Sequence, residues 1–179
     1  MEILTFPNEL LRRVSKEVDI SDDQEVKDLR HTVKEMTEIM YNSNGVGLAA
    51  PQVGIAKRYF IIDVDQSVEK DDNDEIVSRT VGHLYVFINP VFVSKEGSVL
   101  HEEGCLSVPG VWEDVKRAQK VVVEYFDENL EQKRMVAEGL MAIAIQHEHD
   151  HLDGKLFIDR LSTVKRTIIK NKILKGKSF

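Results

Sequence analysis

The sequence predicts a single α+β domain, and three observations lead there. One stretch is a capped amphipathic helix, several runs are rich in β-branched and aromatic residues, and no repeat or Pro/Ser-rich linker divides the 179 residues. A chain of this length forms one domain, taken here as 1–179. With 42% hydrophobic and 31% charged residues it can fill a core, which excludes disordered and fibrous classes.

In chain order, Ser21-Asp22-Asp23-Gln24 reads as a capping box. Val26, Leu29, Val33, Met36 and Met40 then recur at helical spacing, and Asn44-Gly45 signals the stop. Arg58–Val64 and Leu84–Ile88 read as strands, and Ser98–His101 as an extension of the sheet. Between them, Asp63 to Glu75 packs seven acids with one lysine, which predicts a solvated, mobile acidic loop over 63–82. Lys120–Phe126 and Gln132–Ala137, joined through Asp127-Glu128-Asn129, read as a hairpin. Glu138–His151 is an apolar helix ending near Gly154, and Ser162 caps a last helix carrying Val164, Ile168, Ile169 and Leu174.

The formal charge of −7 conceals a split. Residues 162–179 hold six cations and no acid, leaving 18 cations against 31 acids in the other 161 residues. Such an acidic body argues against a DNA-binding protein. The purest apolar run, Leu140–Ile145, is six residues, far short of the ~20 a spanning helix needs. The N-terminus has no basic region before Pro7, so no secretory signal is expected. A single cysteine, Cys105, excludes an internal disulfide and fits a reducing, cytoplasmic setting.

The chemistry concentrates in three segments. His147-Glu148-His149-Asp150-His151 is an H-E-x-x-H pattern, which sets His147 and His151 on one helix face about one turn apart, with Glu148 beside them as a base for a metal's water. A polar, solvated helix end is the bland alternative, but the apolar run before it argues for burial, and buried histidines and acids demand partners. A catalytic site wants a third protein ligand. No histidine follows His151, whereas Cys105 lies in Glu103-Gly104-Cys105-Leu106-Ser107, at a loop or strand end, and a Cys-His-His site fits. His149 points nearly opposite to its neighbours and reads as a solvated histidine. In Gly45-Val46-Gly47-Leu48-Ala49-Ala50-Pro51-Gln52, close glycines let backbone approach a ligand and Gln52 offers an amide, although a plain turn is the default. The G-x-G-x-x-G spacing of a dinucleotide loop is absent.

The three segments together, GVGLAAPQ, EGCLS and QHEHDH in that order, closely resemble the peptide deformylase family. The resemblance implies antiparallel sheets packed around a central metal-binding helix, with a C-terminal helix, and removal of the N-formyl group from formylmethionine at the start of nascent proteins. It implies Cys105, His147 and His151 as metal ligands and Glu148 as general base and acid. Gln52, by its side-chain amide, and Leu106, by its backbone N–H, would hold the oxyanion. Gly47 matches a glycine facing substrate, and Asp150 with Arg117 a pair that steadies the metal helix. One divalent ion is implied, Fe2+ physiologically, with Zn2+, Ni2+ or Co2+ able to substitute.

Leu140, Ile143 and Ala144 precede His147 on the same helix face, where they are ordinary core or, with Val46, the apolar wall of a pocket suited to the unbranched methionine side chain that the resemblance implies. The basic 162–179 helix and tail is a candidate for docking on ribosomal RNA, or a simple complement to the acidic body. A zinc endopeptidase and a structural metal module are the competing readings. The first lacks its downstream ligand, and the second has no use for Glu148.

Overall fold

The computed structural model describes residues 1–71, 73 and 76–176. The acids at 72, 74 and 75 and the tail 177–179, both included in the expectations above, lie outside the described residues.

The first helix, α1 (Asp23–Asn42), is capped by Asp22, whose carboxylate accepts from Gln24 N (2.8 Å) and Glu25 N (3.2 Å). Ser21, expected in that role, instead donates its hydroxyl to Asp19. The helix ends where Asn44 takes a φ of 57°. Five strands follow as one antiparallel sheet in the order β1 (Gly47–Ala49), β2 (Tyr59–Ile62), β5 (Tyr85–Glu96), β8 (Lys120–Phe126), β9 (Gln132–Glu138). Every residue of β2 is buried because both of its faces are covered. Phe60 and Ile62 pack with Phe87, Ala142 and Ile145 toward α2 (Gly139–Leu152), whereas Tyr59 and Ile61 pack with Leu29, Met36 and Met40 of α1. The metal-pattern helix therefore lies against one face of the sheet and α1 against the other.

Several boundaries moved for identifiable reasons. β5 continues eight residues beyond the expected Ile88 through Asn89-Pro90, because the register shifts there and a bulge tolerates the missing proline N–H. Ser98–His101 does not extend the main sheet. It belongs to β6 (Val99–Cys105), which pairs only with β7 (Val108–Arg117) in a separate two-stranded sheet. The 63–82 stretch is not simply a solvated loop: Asp63 is fully buried, and β3 (Ser67–Lys70) pairs with β4 (Ile76–Thr80).

The last helix, α3 (Thr163–Leu174), is capped by Ser162 and buries only Ile169, against Val111, Val115 and Phe157. Val164, Ile168 and Leu174 stay exposed. Among the described residues, no helix is long and apolar enough to cross a membrane.

Candidate metal centre and substrate groove

Two elements converge on the site. β6 delivers Cys105 at its C-terminal end, and α2 presents His147 and His151 one turn apart. The ligand atoms of these three residues all lie within 4.8 Å of one another. Cys105 Sγ is 3.4 Å from His151 Nε2, and the two imidazole centroids are 5.2 Å apart.

A ring of buried charge fixes the histidines. Glu103 Oε2 meets His147 Nδ1 at 2.8 Å, which leaves the other ring nitrogen for the cluster. Arg117 donates to both oxygens of Glu103 (2.7 and 2.9 Å) and to Asp150 Oδ2 (2.6 Å), which also accepts from Arg160 Nε (2.9 Å). Burial alone would raise the carboxyl pKa values of Glu103 and Asp150. Hydrogen bonds from Arg117 and His147 on one, and Arg160 and Arg117 on the other, pull each down to about 2. Asp150 and Arg117 thus pair as expected. Glu103 and Arg160 were missed. Glu103 stands two residues before Cys105 on β6, but the register shifts between them, so the strand's alternation gave no signal for it. Arg160 comes from a 3-10 turn (Phe157–Arg160) and had none.

Glu148 is buried, its Oε2 has no hydrogen-bond partner, and burial pushes its pKa up to about 7. Gly47 makes room for it, because a Cβ there would sit 2.5 Å from Glu148 Oε1. Gln52, 2% exposed, accepts from Ala49 N (2.8 Å) and turns its amide nitrogen toward Ser107 Oγ (3.1 Å) and Cys105 Sγ (3.6 Å). Ser107, also missed, is fully buried.

The fit to a metal ion can be judged from the donors themselves. Burial disfavours charge on both histidines, yet hydrogen bonds to Cys105 and Glu103 hold the His147 pKa well above the ordinary range. The pocket thus favours a positive charge among its donors. Burial and the neighbouring His147 push His151 well below its ordinary value, which keeps it neutral as a ligand must be. A thiolate and two imidazoles with an unpartnered carboxylate alongside suit a borderline divalent ion with an open position.

The centre opens onto a groove of about 670 Å³. Val46, Leu106, Leu140, Ile143 and Ala144 all line it, as do Gly47 and Gln52. Trp112, not anticipated, forms another part of the wall and lies over Gly104, where a Cβ would come within 2.9 Å of its ring. His149 is not solvated: its side chain is 13% exposed and its ring centroid lies 4.6 Å from that of Phe92, beside Arg58 and Asp153. It lies outside the three-residue cluster.

The family model for polypeptide deformylase matches residues 1–167. Among similar curated proteins is a peptide deformylase of Pseudoalteromonas translucida, 44% identical over 179 residues that cover 100% of this chain and 97% of the relative. Similar solved structures include a peptide deformylase from Legionella pneumophila, with 38% identity, a TM-score of 0.78, and coverage of 98% of this chain and 94% of that one. A peptide deformylase from Ehrlichia chaffeensis in complex with actinonin has 35% identity and a TM-score of 0.81, covering 100% of this chain and 98% of its own.

Proposed function

The chain belongs to the peptide deformylase family, and on that premise we propose how its own residues perform the reaction. Members of this metal-dependent family remove the N-formyl group from nascent chains and release formate. The observation that best supports the residue assignments is the Cys105–His147–His151 cluster with the unpartnered Glu148 carboxylate beside it.

Cys105, His147 and His151 hold the ion. A divalent cation in this ligand set supplies Lewis acidity to the formyl carbonyl and acidifies the attacking water. Glu148 Oε2 takes a proton from that water and returns it to the leaving amine nitrogen, so that water adds across the C–N bond and yields formate and a free α-amino group. The Gln52 amide and the Leu106 backbone N–H donate to the carbonyl oxygen as it becomes anionic. Glu103, Arg117 and Asp150 keep the helix and its imidazoles in place. Val46, Leu140, Ile143 and Ala144 enclose the methionine side chain, and Gly47 presents backbone to the peptide.

Fe2+ is the proposed physiological ion, with Zn2+, Ni2+ or Co2+ as substitutes. The cytoplasm is the proposed compartment, a reading supported by the lone thiol serving as ligand. We also assign α3 to ribosome docking, supported by a basic helix that leaves Val164 and Ile168 exposed. Anaerobic purification, elemental analysis and an assay on formyl-Met-Ala-Ser test the whole reading. Formate release without cleavage of internal peptide bonds is expected, and backbone cleavage would replace the deformylase with an endopeptidase. Truncation after Leu161 should weaken salt-sensitive ribosome binding, whereas unchanged binding would remove α3 from that role.

A further inference from the structure

The hairpin β3–β4 has no core of its own. Val68, Ile76 and Val77 are exposed, and of its described strand residues only Arg79 is partly buried. The base of the hairpin is gathered on one buried carboxylate. Asp63 accepts from Asp65 N (3.1 Å), Gly82 N (2.9 Å) and the Tyr41 hydroxyl (2.7 Å). From that base Arg79 reaches the edge of the groove. Its Nη1 donates to Gln66 Oε1 and its Nη2 to Asn44 Oδ1, and its guanidinium lies 5.7 Å from the Tyr41 ring centroid. Gln66 Nε2 in turn donates to the carbonyls of Gly45 (2.7 Å) and Asp63 (3.1 Å). Asn44 and Gly45 line the groove, two or three residues before Gly47 meets Glu148.

We propose that Arg79 is a positioning residue for the substrate: acting through Asn44 and Gln66, it holds the rim segment 44–46 in the conformation that receives a formylated peptide. The inference rests on the reading of the groove as the peptide site. Asn44 takes a left-handed φ of 57° just past α1, and its side-chain oxygen and the Gly45 carbonyl are held from the hairpin side by Arg79 and Gln66. A rim ordered beforehand spares the peptide the entropy of ordering it. Arg79 touches none of the reacting groups, so its effect falls on binding rather than on turnover.

The test compares Arg79→Ala, Arg79→Lys and Gln66→Glu with the unaltered, metal-loaded enzyme on formyl-Met-Ala-Ser. Arg79→Ala should raise KM by about three- to tenfold and leave kcat within about twofold. Arg79→Lys should recover only part of that loss, because a single ammonium nitrogen cannot occupy the two separate positions from which Nη1 and Nη2 reach Gln66 and Asn44. Gln66→Glu keeps a partner for Arg79 but loses the donor to Gly45, and should match Arg79→Ala. Hydrogen exchange gives a readout free of catalysis: amides 44–47 should exchange faster in Arg79→Ala while those of α2 do not change. An unchanged KM would overturn the proposal. So would equal losses in kcat and Tm, the mark of a generally loosened fold. Lack of formate release by the unaltered enzyme would sink the functional reading alone, since the exchange comparison still decides the role of Arg79.

Discussion

Beneath the groove, Glu103, Arg117 and Asp150 are buried and their charges meet at 2.6–2.9 Å, with the partly buried His147 ring bonded to Glu103 at 2.8 Å. Along its rim, Arg79, Gln66 and Asn44 are joined by single hydrogen bonds at half-buried or exposed positions. The two regions border the same groove but differ in what they risk. Removing one partner of a buried ion pair costs about 3–5 kcal/mol, because the other charge stays uncompensated. A partly exposed hydrogen bond is worth about 1 kcal/mol, since water replaces it. Rigid charge therefore lies under the Cys105–His147–His151 cluster, and weaker ties hold the groove's rim.

The largest effect should come at the floor. Glu148→Gln is expected to reduce turnover by at least about 10³-fold with metal content unchanged. The same variant should raise the Tm of the metal-free protein at pH 8. The native carboxyl titrates at about 7, above its ordinary 4.5, so it is buried and ionised there at a cost that glutamine removes. Elemental analysis and thermal melts check both. Gln52→Ala should lower kcat by about 10²–10³-fold with a smaller change in KM. A loss confined to KM would move Gln52 from the floor to the rim.

Glu103→Gln should weaken metal affinity by about 10–100-fold, measured by competition with a chelator, since it loosens His147 without removing a ligand. Acid should separate the regions next. Glu103 and Asp150 titrate at about 2 when folded but near 4.5 and 3.8 ordinarily, so the unfolded chain takes up protons first. The stability they confer is full above about pH 5 and is lost as pH falls toward 2. Tm measured from pH 6 downward should show that decline, and it should be blunted in Glu103→Gln. The smallest effect belongs to the groove's open end: Val46→Ala should change KM by less than about threefold, as fits a half-exposed wall.

These regions also differed in how readable they were. The H-E-x-x-H spacing placed His147 and His151 because helical geometry is local, whereas Glu103 was hidden because a register shift breaks the two-residue period between it and Cys105. Arg160 came from a distant turn, and nothing near it in sequence encodes that approach. The expected strand ended at Ile88, yet a bulge carries β5 on through Asn89-Pro90. The acidic 63–82 stretch hid its hairpin because no apolar alternation marked it, and Arg79 makes its contacts to Gln66, Asn44 and the Tyr41 ring, all far from it in sequence. His149 looked solvated from its angle on the helix, but β5 brings Phe92 against it.

The edge position of β1 has a consequence for self-association. An edge strand whose main-chain groups stay unpaired invites pairing with any other chain, including another copy. Here β1 is three residues long and wholly buried, and its Ala49 N–H is already taken by Gln52 Oε1, so it is too short and too covered to seed a growing sheet. The opposite edge, β9, is seven residues long and carries Lys133, Arg134 and Glu138 at exposed positions, where charge deters a neighbour. The molecule thus keeps one edge brief and covered, and guards the longer one with ions.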